Sequence, residues 1–364
     1  MKTNPILQFL IISIYVIAFT FVVGCEGPIG LPGADGIDGI DGTDGTDGVA
    51  GNVTCLACHS GENIQNVKQQ FSQSVHSAGQ IAVDYAGGRA SCARCHSSEG
   101  FIEFATYGTV EENISAPSAW ECKTCHSLHS TFEVGDFALR LADPIAFIFD
   151  ENVTADFGNS NLCANCHQSR RAEPNISAPG TTYAITSTHY GPHHGAQSNV
   201  LYGVGFAEIA GSMSYPAAGS ATHMTAETGK CTGCHMATYG NGQGGHTFNP
   251  AIDACTACHA GAADFDINGV QTAIAAQLDE LRDLLIARGV VEQAVEDIYE
   301  INQETGNIEL VTVMGGYHPV VGTFTMLEAQ AFFNWTGLDE DRSHGVHNPE
   351  YIKALLTNSI EALQ

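Results

Sequence analysis

Apolar residues recur at helical spacing mainly in the last hundred residues of this 364-residue chain. The first such segment runs from residue 270 to about residue 304, and charged residues separate its apolar positions, so it predicts an amphipathic helix. Its apolar positions are Ile274, Leu278, Leu281 and Leu285. Gly289 interrupts this pattern and is expected to break or kink the helix.

Two further helices are predicted closer to the C-terminus. One covers Phe324 to Trp335. In the other, Asn348 is a favourable N-cap and Pro349 suits the first turn. The apolar side of that helix consists of Tyr351, Leu355, Leu356, Ile360 and Leu363. These helices could pack on each other or form a subunit contact, and packing within the chain is the expected arrangement.

The N-terminus has a different pattern. Lys2 precedes a mostly apolar run from Ile6 to Val23, and this order predicts a signal peptide over residues 1–24. The end of the run, Val22-Val23-Gly24-Cys25, resembles a bacterial lipoprotein lipobox. The resemblance implies that Cys25 is lipidated and begins the mature protein. The alternative is an uncleaved membrane anchor, because the run nearly reaches the length of about 20 residues that spanning requires.

Residues 25–51 contain the proposed lipid anchor and then a low-complexity stretch. Glycine occupies every third position from Gly27 to Gly51, which is the period of a collagen triplet. Only Pro28 and Pro32 supply imino acids, too few for a stable triple helix. We therefore predict an extended spacer. A weaker alternative is trimerisation assisted by calcium on the regularly spaced aspartates.

Six Cys-x-x-Cys-His motifs lie within residues 52–268, where helical periodicity is otherwise weak. In chain order they are Cys55, Cys58 and His59; Cys92, Cys95 and His96; Cys122, Cys125 and His126; Cys163, Cys166 and His167; Cys231, Cys234 and His235; and Cys255, Cys258 and His259. Two thiols at this spacing can form thioethers to one haem, and the adjacent imidazole can ligate its iron. A zinc site would not explain a histidine after every second cysteine. The spacing therefore predicts six covalently bound haem c groups.

The presence of six haem groups determines the expected fold class and domain organisation. We predict a mainly α protein with many loops, wrapped around stacked haems, with a short helix at each motif and long C-terminal helices. Residues 52–268 would form the hexahaem region. Residues 269–364 would form a helical region that belongs to the same functional unit.

The cysteine count and the net charge indicate where the protein is located and which partners it can bind. Of 13 cysteines, the motifs use 12 and leave only Cys25, so no pair remains for a structural disulfide. Haem attachment to thiols takes place outside the cytoplasm, so the chain must be exported. With 40 acidic and 13 basic residues, the formal charge is −27. This charge excludes nucleic acid as a ligand and favours a basic redox partner.

The histidine count bears on the second axial ligand of each iron. Ten of the 16 histidines lie outside the motifs, which is enough for six distal ligands. They are His76, His129, His189, His193, His194, His223, His246, His318, His344 and His347. Imidazoles on both faces of a haem favour electron transfer and block substrate from the iron.

Three segments resemble multihaem cytochromes of the nitrite reductase and cytochrome c554-like superfamily. They are Thr188–Gly195, Cys231–Met236 followed by Gly244–Phe248, and Asp341–Pro349. The resemblance covers about residues 52–364. It implies distal ligands at His76, His223, His246 and His347, and at one or two of His189, His193 and His194. His129 is the sixth candidate, and His318 and His344 are expected not to be ligands.

The chain departs from the enzymes of that superfamily. Ammonia-forming nitrite reductases commonly carry one Cys-x-x-Cys-Lys motif and five haems, whereas no motif here ends in lysine. We therefore predict an electron carrier rather than an enzyme, anchored to a membrane and facing the periplasm or the cell surface. Its partners would be redox proteins or an extracellular acceptor, and oligomers are possible.

Two alternatives to the carrier remain. One is a reductase or oxidoreductase of nitrogen or sulfur compounds with one open haem, over which His193 or His194 could donate a proton. The other is a trimeric surface protein that depends on its collagen-like stalk.

Overall fold

Short helices and loops make up most of the chain up to residue 268, and longer helices follow. The computed structural model describes residues 63–129, 137–238, 244–301 and 308–364. The described residues belong to one compact unit.

Several sequence predictions fall on residues outside these ranges. They concern the signal peptide, the lipidated Cys25, the glycine-rich spacer and the first haem motif. Of that motif, Cys55, Cys58 and His59 all lie outside the described residues. Haem attachment through Cys55 and Cys58 therefore stays a prediction from the sequence, as does ligation by His59.

The helices and strands of the described residues are numbered here in chain order. The α-helices are α1 (Asn63–Ser72), α2 (Gln80–Ala82), α3 (Ala90–His96), α4 (Ser98–Tyr107), α5 (Cys122–Cys125), α6 (Asn161–Ala164), α7 (Pro174–Ser177), α8 (Gln197–Tyr202), α9 (Thr222–Thr225), α10 (Lys230–His235), α11 (Asp253–Thr256), α12 (Val270–Ala287), α13 (Met326–Asp341) and α14 (Pro349–Leu363). The strands are β1 (Ile145–Phe147), β2 (Asp150–Ala155), β3 (Thr182–Ile185), β4 (Val291–Ile301), β5 (Ile308–Pro319) and β6 (Gly322–Thr325). A π-helical turn (Val83–Gly87) and 3₁₀ turns connect some of them; the 3₁₀ turns are His76–Ala78, Gly158–Ser160, Gly245–Thr247 and Ile267–Gly269.

The largest apolar core joins α12, α13 and α14 to the segment between residues 185 and 209. The predicted apolar positions of α12 are buried in it, as are Phe332 and Phe333 of α13 and Leu355 and Leu356 of α14. The predicted intramolecular packing of the C-terminal helices is therefore present. A smaller core, which includes Phe147 and Phe157, lies at β1 and β2.

The break predicted at Gly289 is confirmed, but the predicted continuation of the helix beyond it is wrong for residues 291–301, which form strand β4. Helix α12 ends at Ala287, and Gly289 adopts a left-handed conformation with φ of 71°. The Val290 N–H donates to the Leu285 carbonyl at 2.9 Å, which closes the helix end. Strand β4 follows because β5, contributed by a later part of the chain, supplies its hydrogen-bonding partner.

The bounds of the other two helices agree better with the pattern. Helix α13 begins at Met326 rather than Phe324, because Thr325 and Glu328 form a capping box at its N-terminus. It also continues beyond the predicted Trp335 to Asp341. Asn348 caps α14 as predicted, since its side chain accepts a hydrogen bond from the Tyr351 N–H at 3.2 Å.

Three two-stranded antiparallel sheets in the described residues were not predicted. They pair β1 with β2, β3 with β6, and β4 with β5. The β3–β6 pair joins residues 182–185 to residues 322–325 and so connects the haem-motif region to the C-terminal helices. Among the helices of the described ranges, none combines the length and apolar character needed to cross a membrane.

Candidate functional site

Each of the described Cys-x-x-Cys-His motifs lies on or at the end of a short helix, as predicted. These helices are α3, α5, α6, α10 and α11. One helical turn places cysteines three residues apart on the same side of the helix, which suits attachment to one planar group. No cysteine of these five motifs is in a disulfide, and among them only Cys122 and Cys258 are exposed. The first motif, with Cys55 and Cys58, is not among them because it lies outside the described residues.

The residues between the two cysteines of a motif connect one motif to another. The Arg94 guanidinium in α3 donates to the Asn165 carbonyl of the fourth motif at 3.2 Å. The Thr232 hydroxyl of the fifth motif lies 3.0 Å from the Ser160 hydroxyl, immediately before α6. These hydrogen bonds hold the second, fourth and fifth motifs against each other.

A third link reaches the third motif. The Thr124 hydroxyl in α5 lies 2.7 Å from the Ser98 hydroxyl, which follows the second motif, and both side chains are buried. A buried hydroxyl needs a hydrogen-bonding partner, and each of these supplies one to the other. The pair therefore fixes α5 against the start of α4.

Thiols of different motifs also lie close to each other. The Cys95 and Cys166 thiols are near enough to shift each other's pKa, and so are the Cys163 and Cys231 thiols. The backbone supports the first pair, since Cys166 Sγ lies 3.7 Å from the Arg94 carbonyl oxygen and Cys95 Sγ lies 3.9 Å from the Asn165 carbonyl oxygen. The fourth motif therefore lies between the second and the fifth.

The imidazole of every described motif faces an imidazole from another part of the chain. The distances between ring centroids are 5.9 Å for His96 and His193, 6.1 Å for His167 and His76, 6.3 Å for His126 and His246, 6.3 Å for His259 and His223, and 6.4 Å for His235 and His347. These separations are nearly equal, although the sequence separation within each pair varies widely.

These distances fit a metal between the rings of each pair. A histidine nitrogen binds a metal at about 2 Å and lies about 1 Å from its own ring centre, so two opposed ligands have centroids about 6 Å apart. Haem iron takes imidazole on either axial side. The residues present therefore fit haem groups held by two histidines and two thiols each.

Several of these imidazoles are oriented by an acceptor at Nδ1. Carbonyl and carboxylate oxygens can only accept, so each such Nδ1 carries the proton and leaves Nε2 for a metal. The acceptors are Phe137 O for His126 at 2.6 Å, Gln197 Oε1 for His167 at 3.1 Å, Val346 O for His223 at 2.6 Å, Phe248 O for His235 at 2.9 Å, and Asp341 Oδ1 for His347 at 2.7 Å.

Burial keeps other imidazoles neutral. It lowers the pKa of His76 to about 4, with a further contribution from nearby His167. It also lowers the pKa of His193 to about 4, and the Arg170 guanidinium adds to this effect. Only a neutral imidazole has a lone pair for a metal, so both side chains are in the ligating form at neutral pH.

His347 has a different environment. Burial would lower its pKa, but the Asp341 carboxylate raises the pKa above its usual value. The Asp341 side chain is fully buried, and its other oxygen accepts a hydrogen bond from Ser343. A carboxylate behind a ligating histidine fixes the ring and makes it a stronger donor.

The structure separates the candidate distal histidines into two groups. His76, His193, His223, His246 and His347 each lie opposite a motif imidazole, as given above. The other candidates do not face a described motif imidazole. His129 has interactions of its own, and His189 Nδ1 lies 3.4 Å from the Thr188 hydroxyl.

The remaining non-motif histidines lie elsewhere. His194 pairs with Glu340 at 2.8 Å, and His318 lies 3.8 Å from Glu292. His344 adopts a left-handed conformation three residues before His347. His318 and His344 were not expected to be ligands, and neither faces a described motif imidazole.

Sequence reasoning missed the residues that accept hydrogen bonds from the imidazole Nδ1 atoms. Asp341, Gln197 and the carbonyls of Phe137, Val346 and Phe248 follow no recognisable motif. Only Asp341, Val346 and Phe248 lie within segments that carried a resemblance, and the resemblance gave them no role. Their positions depend on contacts between distant parts of the chain.

Comparison with known proteins gives distant similarities. No protein-family model matches the chain. The curated relatives include C-type polyheme cytochrome OmcB from two strains of Geobacter sulfurreducens, DL-1 / KN400 and PCA. Each is 26% identical over 236 residues, which cover 57% of this chain. The match covers only 31% of the length of these relatives.

One solved structure is also similar, the crystal structure of outer cell wall cytochrome OcwA. The match has a TM-score of 0.49 and 16% identity, and covers 81% of this chain and 50% of the other. This likeness is too distant to bear on function. The sequence similarity to polyheme c-type cytochromes, together with the motif spacing and the facing imidazoles, supports a multihaem c-type cytochrome.

Proposed function

We propose that this protein is a hexahaem c-type cytochrome that carries electrons along a chain of haems. The observation that carries the proposal is the set of facing imidazole pairs, one for every described motif. In each, the cysteines would hold a haem and the two histidines would ligate its iron. When bound, haem iron supplies reversible one-electron chemistry.

The sixth haem of this proposal rests on the sequence alone. Cys55, Cys58 and His59 repeat the spacing of the five described motifs. That repetition is the reason to propose the same attachment there, with thioethers to Cys55 and Cys58 and iron ligation by His59.

The contacts between motifs support transfer from one haem to the next. The cysteines would hold the haems, so the closeness of Cys95 to Cys166 would place the second and fourth haems near each other. The closeness of Cys163 to Cys231 would do the same for the fourth and fifth haems. We therefore propose the order second, fourth, fifth for one part of the electron path.

The imidazole pairs favour a carrier over a catalyst. The two imidazoles of each pair would both ligate the iron, and these side chains would keep substrate from it. The alternative, a reductase or oxidoreductase of nitrogen or sulfur compounds, requires one site without a distal histidine. The first motif, with His59, is the one motif that has no distal histidine among these facing pairs.

We assign His129 as the distal ligand of the His59 site. His129 lies three residues after His126, whose ring faces His246. Helix α1 begins four residues after His59 and contacts the backbone at His246. Gln70 of α1 accepts a hydrogen bond from the His246 N–H at 3.1 Å. Of the other unassigned candidates, His189 precedes Tyr190 of the C-terminal core, and His194 pairs with Glu340.

The location and partners follow from the sequence. We propose that the chain is exported, anchored by a lipid on Cys25, and held away from the membrane by the glycine-rich spacer. Its charge of −27 would favour basic redox proteins, with an attraction that weakens as salt rises. Respiratory electron transfer to a periplasmic or extracellular acceptor is the process that suits this arrangement.

The first test is haem quantification with low-temperature EPR of the oxidised protein purified without its N-terminal 51 residues. Six haems per chain and only low-spin ferric signals would support the carrier. Fewer than six haems would contradict the hexahaem assignment. A high-spin signal worth one haem that shifts with nitrite or hydroxylamine would support the enzyme instead.

The His129 assignment has its own test. His129→Ala should convert one haem to a high-spin or water-bound form, while His189→Ala should leave all signals unchanged. The reverse result would make His189 the ligand. If the unsubstituted protein already has one high-spin haem and His129→Ala changes nothing, the assignment is wrong.

A further inference from the structure

The turn that carries His246 is closed by its own hydrogen bonds. Gly244 and Gly245 both have positive φ angles, 75° and 55°. The Phe248 N–H donates to the Gly245 carbonyl at 3.2 Å, and the Thr247 hydroxyl donates to the Gly244 carbonyl at 2.8 Å. Together with the Gln70 contact described above, these bonds fix the backbone of residues 244–248 against α1.

Phe248 lies where three candidate haem sites meet. Its ring is 5.0 Å from the His76 ring, edge-on at 85°, and 6.0 Å from the His246 ring at 62°. Its carbonyl accepts the hydrogen bond from His235 Nδ1 at 2.9 Å. His76 belongs to the fourth site, His246 to the third and His235 to the fifth. Phe248 therefore contacts one histidine of each.

The backbone of Phe248 supports a specific role for this residue. Its φ is 58°, in the left-handed region that residues other than glycine seldom adopt. Glycine would adopt this conformation more readily but would have no ring to contact His76 and His246. A phenylalanine held in this conformation is consistent with a need for its side chain.

We propose that Phe248 is a positioning residue that sets the ring planes of two distal imidazoles and, through its carbonyl, orients one proximal imidazole. The inference rests on the proposed haem ligation. The ring acts on the third and fourth sites, whereas the carbonyl acts on the fifth. A substitution of the Phe248 side chain therefore removes the effect of the ring on the third and fourth sites, while the backbone carbonyl that acts on the fifth site remains.

The relative orientation of two axial imidazoles is measurable. The planes of His76 and His167 are 90° apart, whereas those of His126 and His246 are 39° apart. Perpendicular ligand planes leave two iron d orbitals nearly equal in energy, which gives a ferric low-spin EPR signal with large g anisotropy. Ligand planes closer to parallel split these orbitals and reduce the anisotropy. The two sites should therefore give distinguishable signals in the unsubstituted protein.

The experiment compares Phe248→Leu with three controls in the oxidised protein at full haem content. His76→Met and His246→Met identify the EPR signals of the fourth and third sites. Phe248→Leu should shift both of these signals and leave that of the fifth site unchanged. Phe248→Tyr keeps the ring and should restore the original signals.

Two matched substitutions test specificity. Trp120 contacts the His76 ring at 5.6 Å, so Trp120→Leu should shift the fourth-site signal alone. Phe324 lies half-buried in β6, and Phe324→Leu should shift none of the assigned signals.

The inference is wrong if Phe248→Leu leaves the third and fourth signals in place, or if it shifts all signals equally, as general loosening would. Failure of the proposed function is distinguishable, because the unsubstituted protein would then lack the six haems or the low-spin signals.

Discussion

The haem-motif region and the C-terminal helices are stabilised in different ways. In α12, α13 and α14, apolar side chains such as Leu281, Phe332 and Leu355 are fully buried in one core. The motif helices α3, α5, α6, α10 and α11 are instead connected by hydrogen bonds between motifs, and the motif histidines face other histidines at a separation that suits an iron between them. Hydrophobic packing therefore stabilises the C-terminal helices, and we expect the cofactors to stabilise the motif helices.

The largest expected effect comes from withholding haem. If the protein is produced without haem attachment, the motif helices α3, α5, α6, α10 and α11 should lose their fixed packing. Helices α12 to α14 and residues 185–209 should keep theirs, because their apolar core does not depend on the cofactor. Hydrogen exchange measured by mass spectrometry would show fast exchange in the motif helices. Equal protection in both regions would contradict the contrast drawn above.

A substitution in the C-terminal core should have the opposite selectivity. Leu355→Ala removes a fully buried side chain and should lower the free energy of unfolding by about 2–5 kcal/mol. The haem absorption and EPR spectra should not change. Lys353→Ala, at an exposed position of the same helix, is the control and should change stability by less than about 0.5 kcal/mol. Both effects are measurable by denaturant unfolding.

A smaller effect is expected where the two regions meet. Asp341, at the end of α13, stabilises positive charge on His347 and on the iron that it would ligate. Asp341→Asn keeps the hydrogen bond to His347 but removes this charge, so the potential of that haem should rise, by about 59 mV if the ferric preference falls tenfold. Spectroelectrochemistry would measure the change.

Asp339→Asn is the matched control, because it removes the same charge from an exposed position of the same helix. It should change the potential much less. Equal shifts in the two variants would show that net charge, rather than the Asp341–His347 hydrogen bond, sets the potential.

The smallest predicted effect concerns the end of α12. Gly289→Ala places a side chain on a left-handed residue with φ of 71° and should cost about 1 kcal/mol of stability. This loss of stability would come from the backbone conformation and not from a steric clash, because a Cβ at residue 289 would meet no atom within 4 Å. Gly316→Ala in β5 has equally open surroundings without a positive φ and should be close to neutral. A comparable loss in both variants would argue against the conformational explanation.

The two regions were also predictable to different degrees. Periodicity located the three C-terminal helices, and Asn348 marked the start of α14. The expected break at Gly289 was correct, but the sequence pattern did not show that the residues after it form strand β4 rather than more helix. The strand depends on β5, and no local pattern reveals a pairing partner.

In the motif region the spacing predicted which thiols and proximal histidines would hold haem, but it could not match distal histidines to motifs. His76 faces His167 from a distant part of the sequence, and His223 faces His259 from a nearer one. Counting histidines showed only that there were enough. The facing pairs arise from loops whose conformation depends on contacts between distant residues.

The sequence by itself determined the cofactor chemistry, because a thiol pair followed by histidine is a local unit that works wherever the fold places it. It also determined the acidic charge and the helical C-terminus. The tertiary structure decided which imidazoles oppose each other, which motifs lie side by side and which acceptors orient the rings. Those properties require atoms from separate segments within a few ångströms, and only the folded chain brings them together.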